Sequence, residues 1–577
     1  MAGPARRWPR RLLVVAVILI PSAWLGWSAW NVWQGVEQVR AAEARLRVLA
    51  DRSPGDLLQP ATENELLAAR GELAEADDRF ASPLLAPLRH VPVLGRNLRA
   101  GTAMTATARR LADAAVPAWR ELRALSAGPE DLFAVGSLAG RGRAALAPLV
   151  DAVGRVDLGP ADDLAQPVAE VRDKLDERLG DLTTAVTTVD RLLAAVEQMT
   201  ARPGRYLIVA GNNAEMASGM GTFLSWGSLE TGDGSIRVGA FTHVAGPSPV
   251  GITLPAELAE RWGRVADGKD LRNLSVSARF DLVAEAAAGL AEAQTGSRFD
   301  GVLYLDPVFL REMVRLTGPV EVLGRRIDAD RVLPLVLNEQ YTDPVLKDRQ
   351  QRALGLDLLA QSVIQRLLTE RLDPVDLFEA LRRSADGRHL MVWGRDPVEQ
   401  AGWEAAGVSG TLGPRSLAVS VQNRRGSKLD WYVEVSATMR TVEVATGVEA
   451  RVELTVRNDA PTGLDWYVGG LPRADAGLAI GDYLSLVSFH LPQGTSSVRI
   501  DGYDGLVAEG PDGATQVAAV NLVVPRGQTR TVTATFVIPR RGPVRVESSA
   551  RAKPVRWDVD GVRFDDGRYR TVTVPAA

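Results

Sequence analysis

Phe299-Asp300-Gly301-Val302-Leu303-Tyr304-Leu305-Asp306-Pro307, followed by Thr317-Gly318-Pro319-Val320-Glu321-Val322, decides how the rest of the chain is read. Val302 to Leu305 is a short apolar run between Asp-Gly and Asp-Pro, the pattern of a strand buried on both faces. Asp306 is placed to cap the next element, with Pro307 at the first helical position. Phe309, Leu310, Met313, Val314 and Leu316 recur at helical spacing, and Thr-Gly-Pro stops the helix. The expectation is strand, helix, strand: the centre of an α/β domain.

Working back, Tyr206 to Ala210 reads as a buried strand and Gly211 to Gly221 as its outgoing loop. Phe223–Leu229 and Ile236–Phe241 read as a hairpin around Asp233-Gly234. Loops at the carboxyl ends of α/β strands are where ligands bind, which makes Asn212, Asn213 and Glu215 candidates, to lie beside the loops carrying Arg279 and Asp306. The competing reading is that these asparagines satisfy turn backbone. The Gly-x-Gly here lacks the P-loop lysine and the dinucleotide spacing. Working forward, Asp328–Leu337 reads as a helix and Asn338–Pro344, with Asp343, as a polar loop. Arg349 and Gln350 then open a helix reaching about Leu368. A helix start carrying Arg and Gln is a candidate anion site, against the alternative of a solvated charged first turn.

Residues 12–33 carry no charge, and as a helix these 22 residues would span roughly 33 Å, enough to cross a hydrocarbon core. Arg6, Arg7, Arg10 and Arg11 precede them, which keeps that end cytoplasmic, and Trp24, Trp27, Trp30 and Trp33 sit where an aromatic belt belongs. A cleaved signal peptide is the rival reading, but the apolar run is long for a signal core and no clear Ala-x-Ala site comes after it. Residues 34–200 show helical periodicity, broken by Pro83, Pro87 and Pro92, and read as a stalk or bundle. They lack the heptads of a long coiled coil. After His389 regularly spaced strands, beginning at Leu390–Trp393, imply an immunoglobulin-like sandwich.

The fold expected is multidomain α+β: a basic tail (1–11), a transmembrane signal anchor (12–33), a helical stalk (34–200), an α/β core (201–388) and a β-sandwich (389–577). Hydrophobic content of 46% and charge of 24% suit globular domains. A net charge of −4 supplies no footprint for nucleic acid. With no cysteine and four scattered histidines, His90, His243, His389 and His490, no thiolate chemistry is available and no metal site is expected.

These features together resemble the bacterial domain of unknown function 4012 family. The resemblance rests on the N-terminal apolar helix, the Asn-Asn-Ala-Glu motif at 212–215, the Asp-Gly-Val…Asp-Pro…Thr-Gly-Pro-Val unit and Asn458-Asp459-Ala460-Pro461. It covers about residues 10–545. Ala217 stands where the family commonly has arginine, and Met220 where it commonly has glycine. A remoter resemblance is to the LytR–CpsA–Psr phosphotransferases, which attach lipid-pyrophosphate-linked glycopolymers to the bacterial wall. Phe299–Val320 looks like their central unit, and Asp343…Arg349-Gln350 like the polar run that helps hold their pyrophosphate. Leu346 occupies the place of an expected arginine, and the arginine pair usual upstream is missing around Asn338–Tyr341.

The resemblance implies a single-pass plasma-membrane protein with its bulk outside the cytoplasm. One role is export, assembly or attachment of surface polysaccharide, with a polyprenyl-linked glycan as partner. If enzymatic, it would be a glycopolymer phosphotransferase. No cofactor is expected, and a divalent cation such as Mg enters only with bound pyrophosphate. The alternative is a non-enzymatic scaffold that positions other envelope proteins.

Overall fold

The structure is a computed structural model describing residues 8–50, 52, 54–57, 59–126, 135–343, 349–370 and 372–575. Two compact units emerge: Met1–Pro129 with Leu138–Leu193, and Glu130–Ser137 with Ala194–Ala577.

The first unit is helical: α1 (Trp8–Ala50), α2 (Pro60–Ala81), α3 (Leu94–Ser126), α4 (Val135–Gly154) and α5 (Gln166–Ala201), with a few residues of the last two counted in the second unit. α1 and α2 run antiparallel, since Asn31 Nδ2 donates to the Arg79 carbonyl at 2.8 Å while Arg45 pairs with Glu72 and Glu65, each at 2.9 Å. Small residues at the contact, Ala42 and Ala69, let the two helices approach. Gly35 lies against the Phe80 ring, where a Cβ would come within 2.9 Å. The prolines expected to bend the chain do so, through a 3-10 turn at Pro83–His90. Helix α1 contains the apolar stretch 12–33, but the side chains of residues 8–20 lie outside those described. Among the described residues no helix is long and apolar enough to cross a membrane.

The second unit begins with a mixed sheet, β1 (Gly204–Ala217), β2 (Met220–Gly232), β3 (Ser235–Val238), β4 (Thr242–His243), β5 (Gly301–Leu305) and β8 (Leu390–Gly394), in the order β3-β2-β1-β5-β8 with β4 on β2. β1 and β5 are parallel, whereas β2 and β8 run antiparallel to their neighbours. The hairpin turn is the expected Asp233-Gly234, both with positive φ (52° and 74°), as the two-residue turn requires. α6 (Phe280–Thr295) packs its alanine-rich face on this sheet. α7 (Pro307–Thr317) follows β5, capped as expected by Asp306, whose Oδ1 accepts from the Val308 and Phe309 amides.

Three expectations are corrected here. The second strand of the central unit, β6 (Val320–Val322), does not join β5. It makes a separate hairpin with β7 (Arg325–Ile327), packed with α8 (Arg349–Thr369) and α9 (Pro374–Asp386). Three residues next to a Leu323-Gly324 turn, both at positive φ, fold back locally rather than cross over. Asn338–Thr342 is helical, continuing Ala329–Pro334 through a π turn, where a loop was expected. And Leu390–Gly394 belongs to the first sheet, pairing with β5 from Gly301↔Gly394 to Leu305↔Leu390, so the expected start of the sandwich is an edge of the core. α10 (Pro397–Ala405) follows it and carries Glu399, whose carboxylate accepts from Tyr206 OH of β1 at 2.7 Å. Burial pushes that carboxyl up to about 7.

The sandwich has two six-stranded sheets. One is β13 (Ser496–Asp501), β16 (Thr529–Ile538), β11 (Gly447–Asn458), β10 (Val433–Val444), β18 (Arg556–Val559) and β19 (Val562–Asp565). The other is β14 (Gly505–Asp512), β15 (Thr515–Val524), β12 (Tyr483–Pro492), β9 (Ser416–Asn423), β17 (Gly542–Val546) and β20 (Arg570–Val574). Parallel pairings β10/β18 and β9/β17 set it apart from the smaller, antiparallel immunoglobulin-like form expected. Between the sheets lies one apolar core around Phe489, Phe536 and Trp557. The second sheet is buried on its other face too: Leu486, Ala508, Val517 and Ala519 join the cluster under α6. Residues 201–388 and 389–577, read as separate domains, therefore share a core.

Candidate functional site

The site is built from the far half of β1. β1 pairs with β5 only as far as Ala210↔Leu305, then runs on as Gly211–Ala217. It is bent by register shifts at Ala210/Gly211 and between Asn212 and Met216. The Asn-Asn-Ala-Glu motif is thus an overhanging strand and not a loop. Gly211 is required there, because a Cβ would meet the Tyr304 ring at 2.5 Å.

Each polar side chain of the overhang is buried and partnered. Asn212 Oδ1 accepts from the Ala214 amide at 2.9 Å, an Asx-type turn, and its Nδ2 donates to Tyr341 OH at 2.6 Å. Asn213 Nδ2 donates to Asp306 Oδ2 at 2.9 Å and to the Ala550 carbonyl at 2.8 Å, while its Oδ1 is buried without a partner. Glu215 is ion-paired with Lys428, whose ammonium also faces the Tyr341 and Tyr467 rings at 5.7 and 5.6 Å. Burial alone would lower the Lys428 pKa, but Glu215 and the two tyrosines hold it above its ordinary value. The Met216 amide donates to Asp430 Oδ2 at 3.1 Å, and Asp430 Oδ1 accepts from Tyr483 OH at 2.7 Å and from Arg551 at 3.0 Å.

Asp306 is the hub. Besides capping α7, it accepts through Oδ2 from Tyr304 OH at 3.2 Å and contacts His389 Nδ1 at 2.7 Å. Burial, with Asp306 beside it, pushes the Tyr304 phenol well above its ordinary range. A His–Asp pair has the make-up of a general base. Here the histidine is only 4% exposed, and both oxygens of Asp306 are taken up by groups of the fold. Among the described residues no cluster of three or more His, Asp or Glu could hold a metal ion.

The other sequence candidates separate. Arg279, at the start of α6, is bound by Glu257 (2.6 Å), Asp281 (2.7 Å) and Asp512 (3.4 Å). Burial would lower its pKa, yet these three carboxylates keep it raised. It belongs with Trp262, Ser277 and His490 around Asp512, not with the asparagines. Asp343 is half-buried with Arg325 at 3.4 Å. Arg349 and Gln350 begin α8; their side chains, and residues 344–348, lie outside those described. α8 buries Leu359 and Val363 in the cluster with α7 and β6, separate from the one containing Phe280 of α6. Sequence reading missed Tyr341, His389, Lys428, Asp430 and Arg551. Only the exceptional burial of charge in strand-rich sequence would have marked the last three, and that is invisible without the fold.

The class defined by this geometry is a mixed α/β sheet fastened through a polar strand to a β-sandwich. A family model described as "Protein of unknown function (DUF4012)" matches residues 202–341. No curated protein and no solved structure matches. The matched segment holds Asn212, Asn213, Glu215 and Asp306, while Lys428, Asp430, His389 and Ala550 lie beyond it.

Proposed function

We propose that this chain is a non-enzymatic envelope scaffold, anchored in the plasma membrane by residues 12–33 and presenting the α/β core and sandwich as one packed body outside the cytoplasm. One observation carries the reading: Asn213, Glu215 and Met216 of the motif strand bind Ala550, Lys428 and Asp430 of the sandwich, so the motif fastens instead of facing a ligand. Arg279, expected beside the motif, already carries three carboxylates. The basic residues Arg6 to Arg11 and the tryptophans of α1 support the anchor and its orientation.

A second reading keeps a role in surface-polysaccharide export, assembly or attachment, with a lipid pyrophosphate bound at the start of α8, since an Arg-Gln helix start suits an anion. Titration of the purified chain with a short-chain polyprenyl pyrophosphate separates the two. The scaffold expects no saturable binding. Binding weakened roughly ten- to a hundredfold by Arg349→Ala would install the second reading in its place. Orientation is tested by labelling a cysteine introduced past residue 40. Uptake in intact cells agrees with the proposal, and uptake only after permeabilisation overturns it.

A further inference from the structure

Lysine side chains are almost never fully buried, yet that of Lys428 is only 4% exposed and that of its partner Glu215 only 11%. As a salt bridge the pair is poorly compensated. An ammonium offers several donors, and among the described residues Glu215 is the one oxygen partner that Lys428 Nζ has. Its other sides face the Tyr341 and Tyr467 rings, 5.7 and 5.6 Å from their centroids. Those rings attract a cation but do not take up its protons as oxygen acceptors would. A dry ion pair without further hydrogen bonds recovers little of its desolvation cost. Buried charges of this kind tend to neutralise, and an amine touching a carboxyl can do so permanently by condensing with it.

The fold holds both groups in place for that step. The residue after Glu215 donates its amide to Asp430 Oδ2 at 3.1 Å, and the Lys428 amide donates to the Val468 carbonyl at 2.8 Å. With both backbones pinned, amine and carboxyl meet as parts of one framework and not by collision. The raised pKa of Lys428 opposes loss of a proton to water. Condensation asks only that the proton shift to Glu215 within the pair.

We propose that Lys428 and Glu215 condense into an intramolecular amide that joins the motif strand covalently to the sandwich. A proton passes from the ammonium to the carboxylate, the Nζ lone pair attacks Glu215 Cδ, and a C–N bond forms. A second proton moves from nitrogen to the departing hydroxyl, the C–O bond breaks and one water leaves. Nothing is oxidised or reduced. The ion pair is what folding assembles, and the amide forms from it afterwards. A chain with no cysteine thereby closes a long loop, as a disulfide would. The proposal deepens the reading of the motif strand as a fastener and rests on it.

Mass spectrometry of the full chain, purified in detergent and held folded for days at neutral pH, tests the linkage. The wild type, denatured for measurement, should be lighter by one water than its composition requires. Trypsin should then release Tyr206–Arg237 joined to Gly426–Arg440, since a linked Lys428 is no longer cut. Lys428→Met should keep its full mass. Should that variant fail to fold, the branched peptide from the wild type still decides. A wild type of full mass, cut after Lys428, overturns the proposal and leaves the noncovalent fastening as it is. Loss of water with the two peptides separate places the change elsewhere in the chain and overturns it as well. Saturable binding of a polyprenyl pyrophosphate would defeat the scaffold reading without altering either mass.

Discussion

Glu399 shows how one residue can set a pH limit. It is 1% exposed, and burial raises its carboxyl from 4.5 to about 7. A carboxyl raised on folding contributes its stability below the unfolded value and loses it as pH rises through the folded one. Across that window the loss is on the order of 3 kcal/mol. Glu399→Gln keeps an acceptor for Tyr206 and removes the charge. It should match the wild type near pH 5 and exceed it by about 2–3 kcal/mol near pH 8, read from urea unfolding at the two pH values. The Glu215–Lys428 pair makes the opposite case. Glu215→Gln leaves a buried ammonium without its counter-charge and should cost about 3–5 kcal/mol. The double change Glu215→Gln with Lys428→Met should recover most of that. A double variant as unstable as the single one would show that the charge was not the cause.

At the scale of elements, the sequence was legible wherever one signal governed one segment. Asp306-Pro307 started a helix, and Asp233-Gly234 turned a hairpin. It failed where partners lay far along the chain. β9 alternates Leu417, Val419 and Val421 with Ser416, Ser420 and Gln422, a pattern that ordinarily means a solvated face. That face is instead buried, with Gln422 Oε1 and Ser420 Oγ near Ser218 Oγ at 3.4 and 3.5 Å. Asn212 to Glu215 read as a loop for the same reason: the polar groups that extend the strand come from Tyr341, Lys428 and Ala550. The candidate site was half legible, since Asn213 does meet Asp306, whereas Arg279 joins a different polar cluster. The bend in β1 makes its own prediction. Gly211→Ala would press a methyl into the Tyr304 ring and should cost about 1–3 kcal/mol, measured by thermal unfolding. A neutral result would mean that the overhang can shift away from β5.

For the whole molecule, the shared core argues against cutting at the boundary the sequence suggests. Residues 389–577 alone would carry away β8, expose Leu486, Val517 and Ala519, and strand Lys428 without Glu215. This fragment should aggregate or remain partly unfolded by size-exclusion chromatography and circular dichroism, whereas residues 194–577 should elute as a folded monomer or defined oligomer. Recovery of a soluble, cooperatively unfolding 389–577 fragment would show that the sandwich stands by itself.

The parallel pairings of β17 with β9 and β18 with β10 also bear on timing. A chain is synthesised from its N-terminus, so β9 and β10 arrive roughly a hundred residues or more before the strands that complete their sheets. Until residues 542–559 emerge, Asp430 has no Arg551, Asn213 has no Ala550 carbonyl, and two sheet edges are open to any passing strand. That interval leaves an edge for a chaperone to hold while the chain is still incomplete.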